Sequence, residues 1–220
     1  MKNVETLILV DETGDHSKRP KRGSSKTFGF GVSILSELNS FAEASRSYKE
    51  LKGIKGELKA RKIRTPEDKG LVAGIIGESG ARTHGIFVDK TKDVPEGWAD
   101  QSGEEVQIGM LHETLNIVIS SIASTRITVV VDRNKAYKEM DEKGRNIVEA
   151  MSEHLSGHHN KNVDCMISGI RTGIYRSHME TNDIVAHALF ESAEYGDHTL
   201  SGNMNMEFMR LGSNDNIRKR

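Results

Sequence analysis

A chain of 220 residues, 35% apolar and 29% charged with a formal net charge of −1, has room for one α/β domain with an insertion around a modest core. It holds no apolar run near the roughly 18 residues of a membrane helix and no leader-like N-terminus, and its single cysteine, Cys165, excludes an internal disulfide framework and fits a reducing cytoplasm. The charge is uneven: residues 17–64 carry 13 Lys and Arg against 4 Asp and Glu, which suits either an anionic partner or a solvated basic face.

The stretch "TLILVDETGDH" predicts a first strand over residues 5–10, tipped by Asp11 and Glu12 and closed by a turn at Gly14. "SKRPKRGSSK" reads as a basic loop broken by Pro20 and Gly23, and "TFGFGVSIL" as a second strand, the hairpin partner of the first. A helix follows from Ser36 to about Leu51, then the basic, weakly patterned "LKGIKGELKARKIR". Thr65-Pro66-Glu67-Asp68 opens another helix, with a capping hydroxyl, proline at the first helical position and acids at the positive end of the dipole. That helix ends near Gly80, and "ARTHGIFVDK" is a strand.

Residues 92–103 form a loop around the only tryptophan, Trp98. Ser102 with Glu105 makes a capping box before a helix over 104–123, followed by a strand over 126–132. A helix from about Asp141 to Ser156 is expected to stop at Gly157. "KNVDCMISGI" is a strand holding Cys165, and a second capping box, Ser177 with Glu180, opens a last helix to about Glu194. The tail 196–220, rich in Gly and Asn, reads as loosely ordered, with Met204, Met206 and Met209 suited to docking on the core or a partner. Alternation of strands and helices in the second half predicts parallel strands covered by helices.

Chemistry is suggested where carboxylates end or interrupt apolar patterns. Asp11 and Asp132 ("ITVVVDRNK") each follow a continuous apolar run, so both mark the carboxyl end of a buried strand, where ligands of open α/β sheets sit. On neighbouring parallel strands they would stand about 5 Å apart, close enough that one takes a proton or a hard cation lies between them. The plainer reading is that each starts a turn. Asp183 falls in the helical stripe Met179, Asp183, Ala186, Phe190, facing the sheet, where it needs a cation or an ion pair with Arg171 or Arg176. Glu57 is a fourth candidate, alone among Lys52, Lys55, Lys59, Arg61 and Lys62. His154, His158 and His159 look like a zinc cluster, but a helix stop at Gly157 separates them. His187, one turn after Asp183, is placed to orient water or to bond a carbonyl, and His16 follows the first acidic pair.

Together these residues resemble the domain-of-unknown-function family 3800, whose members open on an apolar strand leading into Asp-Glu-Ser-Gly. The corresponding segments are "LILVDETGDH" with Thr13 in place of serine, "GELKA" with Glu57, "VVVDRN" with Asp132, and "METNDIVAHALF" with Asp183. Glu180, Asn182 and His187 stand where Gln, Ala and Gly are usual. The resemblance spans residues 7 to about 190 and implies a ribonuclease H-like mixed sheet with helices on both faces and a helical insertion. It implies one such domain over 1–195, with insertions at about 52–82 and 92–103.

It also implies a site in which Asp11, Glu57, Asp132 and Asp183 hold one or two Mg²⁺ or Mn²⁺ ions for phosphodiester hydrolysis of RNA or DNA. Lys59 would meet the scissile phosphate or screen Glu57, and Glu12 would point to the opposite face. Two other readings stay open: a restriction-endonuclease-like site built on Glu57 and Lys59, and a non-catalytic nucleic-acid or protein binding module. A homo-oligomer is compatible with all three.

Overall fold

The computed structural model describes residues 5–15, 24–36, 38–92, 98–137, 145–168, 175–212 and 218–219. The first half supplies strands β1 (Glu5–Gly14) and β2 (Thr27–Leu35), helix α1 (Leu38–Lys52), a 3-10 turn at Ala60–Lys62, helix α2 (Pro66–Glu78) and strand β3 (Arg82–Asp89). The second half supplies α3 (Gly103–Ser120), β4 (Arg126–Val131), α4 (Ile147–His159), β5 (Asn162–Ile167), α5 (Arg176–Phe190), α6 (Thr199–Asn203), β6 (Glu207–Arg210) and β7 (Arg218–Lys219). They form one mixed sheet of order β5-β4-β1-β2-β3-β6-β7. As the alternation predicts, β1, β4 and β5 run parallel, while β2 is the antiparallel hairpin partner of β1. Among the described residues no helix is long and apolar enough to cross a membrane.

The sheet is buried on both faces because its strands alternate two apolar sets. Ile8, Val10, Val129 and Val131 face Leu111, Leu115, Val118 and Leu155 of α3 and α4. Leu7, Leu9 and Val130 face Phe41, Val72, Ile184 and Val185 of α1, α2 and α5. Burying two such layers is the main favourable contribution to folding, at roughly 25 cal/mol per Å² of apolar surface.

The expected caps at Thr65 and at Ser102 with Glu105 are formed, and Asn146 with Glu149 makes a further capping box for α4. Residues 16–23, 93–97, 138–144 and 169–174 are outside the described set, and with them fall residues 17–23 of the basic loop, His16 and Arg171.

Four expectations are corrected. β1 does not end at Val10 but continues to Gly14, because β2 still pairs with it there, Asp11 opposite Gly31 and Gly14 opposite Phe28. α4 passes through Gly157 and stops at Asn160, which takes the left-handed conformation (φ 51°) that closes a helix; an exposed glycine alone does not break one. The box of Ser177 and Glu180 is absent, since α5 opens two residues earlier, with Tyr175 at its N-cap, and Glu180 is drawn instead to Lys49. The tail is not loose over 199–210: Met204 and Met206 are buried against the core, and β6 adds to β3.

Candidate active site

The period of two along β1 decides where its acids go. Leu7 and Leu9 face α5, so Asp11 does too; Ile8 and Val10 face α3, so Glu12 follows them. Val10 lies opposite Val131 on the parallel β4, and the Asp132 N–H donates to the Val10 carbonyl at 2.8 Å. Asp132 therefore continues the alternation of Val130, onto the same face as Asp11. The first pair of predicted carboxylates is thus brought together at the carboxyl end of β4, on adjacent strands. Asp132 is held by the Ser168 hydroxyl, which donates to its Oδ1 at 2.7 Å.

Asp183 arrives from α5, and the approach of that helix depends on Gly31, the partner of Asp11 in β2. A β-carbon at Gly31 would lie 2.4 Å from the backbone N and Cα of Ala186, so only glycine admits the helix this closely. Asn182, fully buried, bolts the contact: its amide donates to the Gly31 carbonyl at 3.2 Å and it accepts the Ser33 hydroxyl at 2.6 Å. Asp183 itself accepts the Ala60 N–H at 2.7 Å, which ties the 52–82 insertion to the site.

Asp11, Asp132 and Asp183 line one cleft of 310 Å³ with Glu57, Lys59 and Ser168. Asp11 is only 6% exposed, and burial first, then the charges of Asp132, Asp183 and Glu12, push its carboxyl well above the usual range. Burial likewise raises Asp183, against the Ala60 N–H, Lys59 and His187, which favour its charged form. Glu57 differs. It is half-exposed, its Oε1 is 2.7 Å from the Lys59 ammonium, and that bond lowers its carboxyl. Lys59 is pulled down by burial but raised on balance by Glu57, Asp183 and Asp132. All four predicted acids line the cleft, Glu57 as the partner of Lys59.

Among the described residues no three Asp, Glu, His or Cys side chains already form an ion cage. The donor chemistry nevertheless fits a hard divalent ion. Three carboxylates share a mostly buried cleft, and the repulsion that raises Asp11 is what an added cation relieves.

Glu12 has a separate role on the other face. It accepts from Gln107 and Asn134, with the Tyr137 hydroxyl at 3.5 Å, and burial pushes it to about 7 despite those donors. Asp11, Glu12 and Asp183 hold protons more tightly folded than unfolded, so the stability they contribute is greatest at low pH and is lost as pH rises through their folded values. In chelator, the melting temperature is therefore expected to fall between pH of about 4.5 and about 7, the window set by Glu12. Asp11→Asn should flatten the fall. A melting temperature that stays level or rises across this window would contradict the assignment.

The histidines lie elsewhere. Because α4 continues, His154 and His158 do share a helix face, with ring centroids 6.1 Å apart and His112 4.8 Å from His154. They decorate the α3–α4 layer, on the opposite side of the sheet from the carboxylates, and no metal-holding trio occurs among them. His187 is 3.4 Å from Glu191. Sequence reasoning missed Ser168, which gives no signal of its own, and Tyr175, Arg176, Met179 and Glu180, which complete the cleft. A polar residue in the buried stripe of α5 was the available sign for Glu180.

Sheet order, the antiparallel β1–β2 pair and helices on both faces define a ribonuclease H-like fold. The chain is similar to one in the structure of the PCNA:RNase HII complex from Archaeoglobus fulgidus, with a TM-score of 0.50 and 13% identity over 87% of this chain and 79% of that one. No family model and no curated protein matches the chain.

Proposed function

We propose that the protein is a divalent-metal-dependent nuclease that hydrolyses phosphodiester bonds of RNA or DNA, and that it belongs to the domain-of-unknown-function family 3800. The observation that carries this reading is the meeting of Asp11 and Asp132 at the ends of parallel strands, with Asp183 lowered over them by α5. Asp11, Asp132 and Asp183 would hold Mg²⁺ or Mn²⁺. When bound, such ions activate water and stabilise the leaving oxygen of an in-line displacement.

The chain's own residues do the rest. Ser168 and the Ala60 N–H each occupy one oxygen of Asp132 and Asp183, so those carboxylates are preorganised rather than free to rotate. Lys59, at the mouth of the cleft, offers a positive charge to a phosphate oxygen, with Glu57 keeping it protonated and in place.

Incubating the protein with mixed single- and double-stranded RNA and DNA is expected to give cleavage with Mg²⁺ or Mn²⁺ and none with chelator. Calorimetric uptake of Mn²⁺ without turnover of any nucleic acid would replace the nuclease by the binding module.

A further inference from the structure

His112, His154, His158 and His159 gather on α3 and α4, on the side of the sheet away from the carboxylates. Because α4 runs through Gly157 to His159, His154 and His158 keep the one-turn spacing that a stop at Gly157 would have destroyed. The ring centre of His112, on α3, is 4.8 Å from that of His154. Asn116, one turn after His112, closes the patch. Its amide nitrogen is 3.2 Å from His112 Nδ1, and its amide oxygen is 3.1 Å from His159 Nε2.

Crowded imidazoles repel one another only when charged. Burial first, then His154, holds the half-buried His112 below the ordinary histidine value, although Glu113 pulls the other way. Burial, then His158 and Lys161, does the same to His159. At neutral pH these rings are therefore uncharged, the form whose nitrogen has a lone pair to give. Neutral imidazole suits Zn²⁺, Ni²⁺ or Cu²⁺, whereas Mg²⁺ and Mn²⁺ prefer oxygen.

The geometry fits one pair of rings. With an ion about 2.0–2.1 Å from each nitrogen and the ring centre roughly 1.1 Å beyond, two imidazoles at a tetrahedral angle have centres about 5 Å apart. His112 and His154 stand at that separation; His154 and His158, at 6.1 Å, are wider. Among the described residues no three Asp, Glu, His or Cys side chains form a cage, so two nitrogens and water make up the shell.

We propose that His112 and His154 form a second metal site, for a borderline divalent cation of the Zn²⁺, Ni²⁺ or Cu²⁺ class, with Asn116 as its positioning residue. Asn116 decides which nitrogen is offered. With Nδ2 toward His112, the ring accepts at Nδ1 and keeps its proton on Nε2. With the amide turned over, Oδ1 accepts an Nδ1–H of His112 and Nε2 is released to the ion. Nδ2 then donates to His159, so neither bond is lost. This site does not depend on the nuclease reading.

Zn²⁺ is titrated by calorimetry into the protein with excess Mg²⁺ present to occupy the carboxylate cleft. One Zn²⁺ is expected to bind the parent protein and Asp11→Asn alike. His154→Ala, at an exposed position, should weaken it by more than about 100-fold with an unchanged melting temperature in chelator. Asn116→Ala should weaken it about tenfold, whereas Asn116→Asp, which only accepts from the His112 Nδ1–H, should bind at least as tightly as the parent. With Cu²⁺ as the probe, electron paramagnetic resonance should show coupling to two nitrogens, reduced to one in His154→Ala. No Zn²⁺ uptake beside Mg²⁺, uptake unchanged in His154→Ala, or uptake lost in Asp11→Asn would overturn the site. Equal weakening by Asn116→Asp and Asn116→Ala would overturn the part given to Asn116.

Discussion

Asp11→Asn and Asp132→Asn are each expected to lower metal-dependent phosphodiester cleavage by about a thousandfold, or roughly 4 kcal/mol of transition-state stabilisation. The side chains keep their shape but give up the charge that, in the proposed site, would hold a divalent ion between β1 and β4. The fold should survive, because asparagine at position 11 removes the repulsion that burial, Asp132 and Asp183 impose there. Circular dichroism and chelator-state melting temperatures should therefore match or exceed those of the parent protein while turnover is lost. Substantial activity in either variant would reject the mechanism. Loss of fold together with activity would assign these carboxylates a structural role instead.

Gly31→Ala is expected to damage the site through a single methyl group. Its β-carbon would meet the backbone of Ala186 at 2.4 Å, and backbone cannot swing aside as a side chain can. α5 must lift, breaking the Asn182 bonds to Gly31 and Ser33 and withdrawing Asp183 from Asp11. Overpacking of this kind loses about 1–3 kcal/mol, and the two buried hydrogen bonds add about 1 kcal/mol each. Denaturant unfolding should show that loss, with cleavage falling further than stability explains, since the helix carries Asp183, a proposed metal ligand. Gly109→Ala is the control. Nothing lies within 4 Å of a β-carbon at this exposed site in α3, so stability should be unchanged or higher by up to about 1 kcal/mol. Equal effects at both positions would remove Gly31 from its positioning role.

The three converging aspartates were readable in the chain because each violates a pattern: two end apolar runs and one interrupts the buried stripe of a helix. Alternation predicted parallel strands, but that β1 and β4 are neighbours was only a condition of that reading, and the sheet meets it. Other features leave no such mark. A glycine in "TFGFGVSIL" does not announce that a helix will cross it, and Asn182 reads as a polar residue until Gly31 and Ser33 appear beside it. β6 is four residues, an exposed Glu207 and three half-buried ones, just after the buried Met204 and Met206, so neither propensity nor periodicity reveals it. Glu57 was chosen from its neighbours, and it does line the cleft, where Lys59, two residues on, pairs with its carboxylate. Glu180 was misread. A hydroxyl three residues before an acid fits a capping box, but the helix begins at Arg176, so that acid faces the core and Lys49.

Whether distant carboxylates share one cation is tested most directly by a crystal soaked in Mn²⁺ and measured at the manganese absorption edge. Anomalous density bounded by Asp11, Asp132 and Asp183, and absent from Asp11→Asn crystals, is the predicted result. Density confined to the histidines of α3 and α4, or none in a cleft whose three carboxylates stay apart, would contradict it.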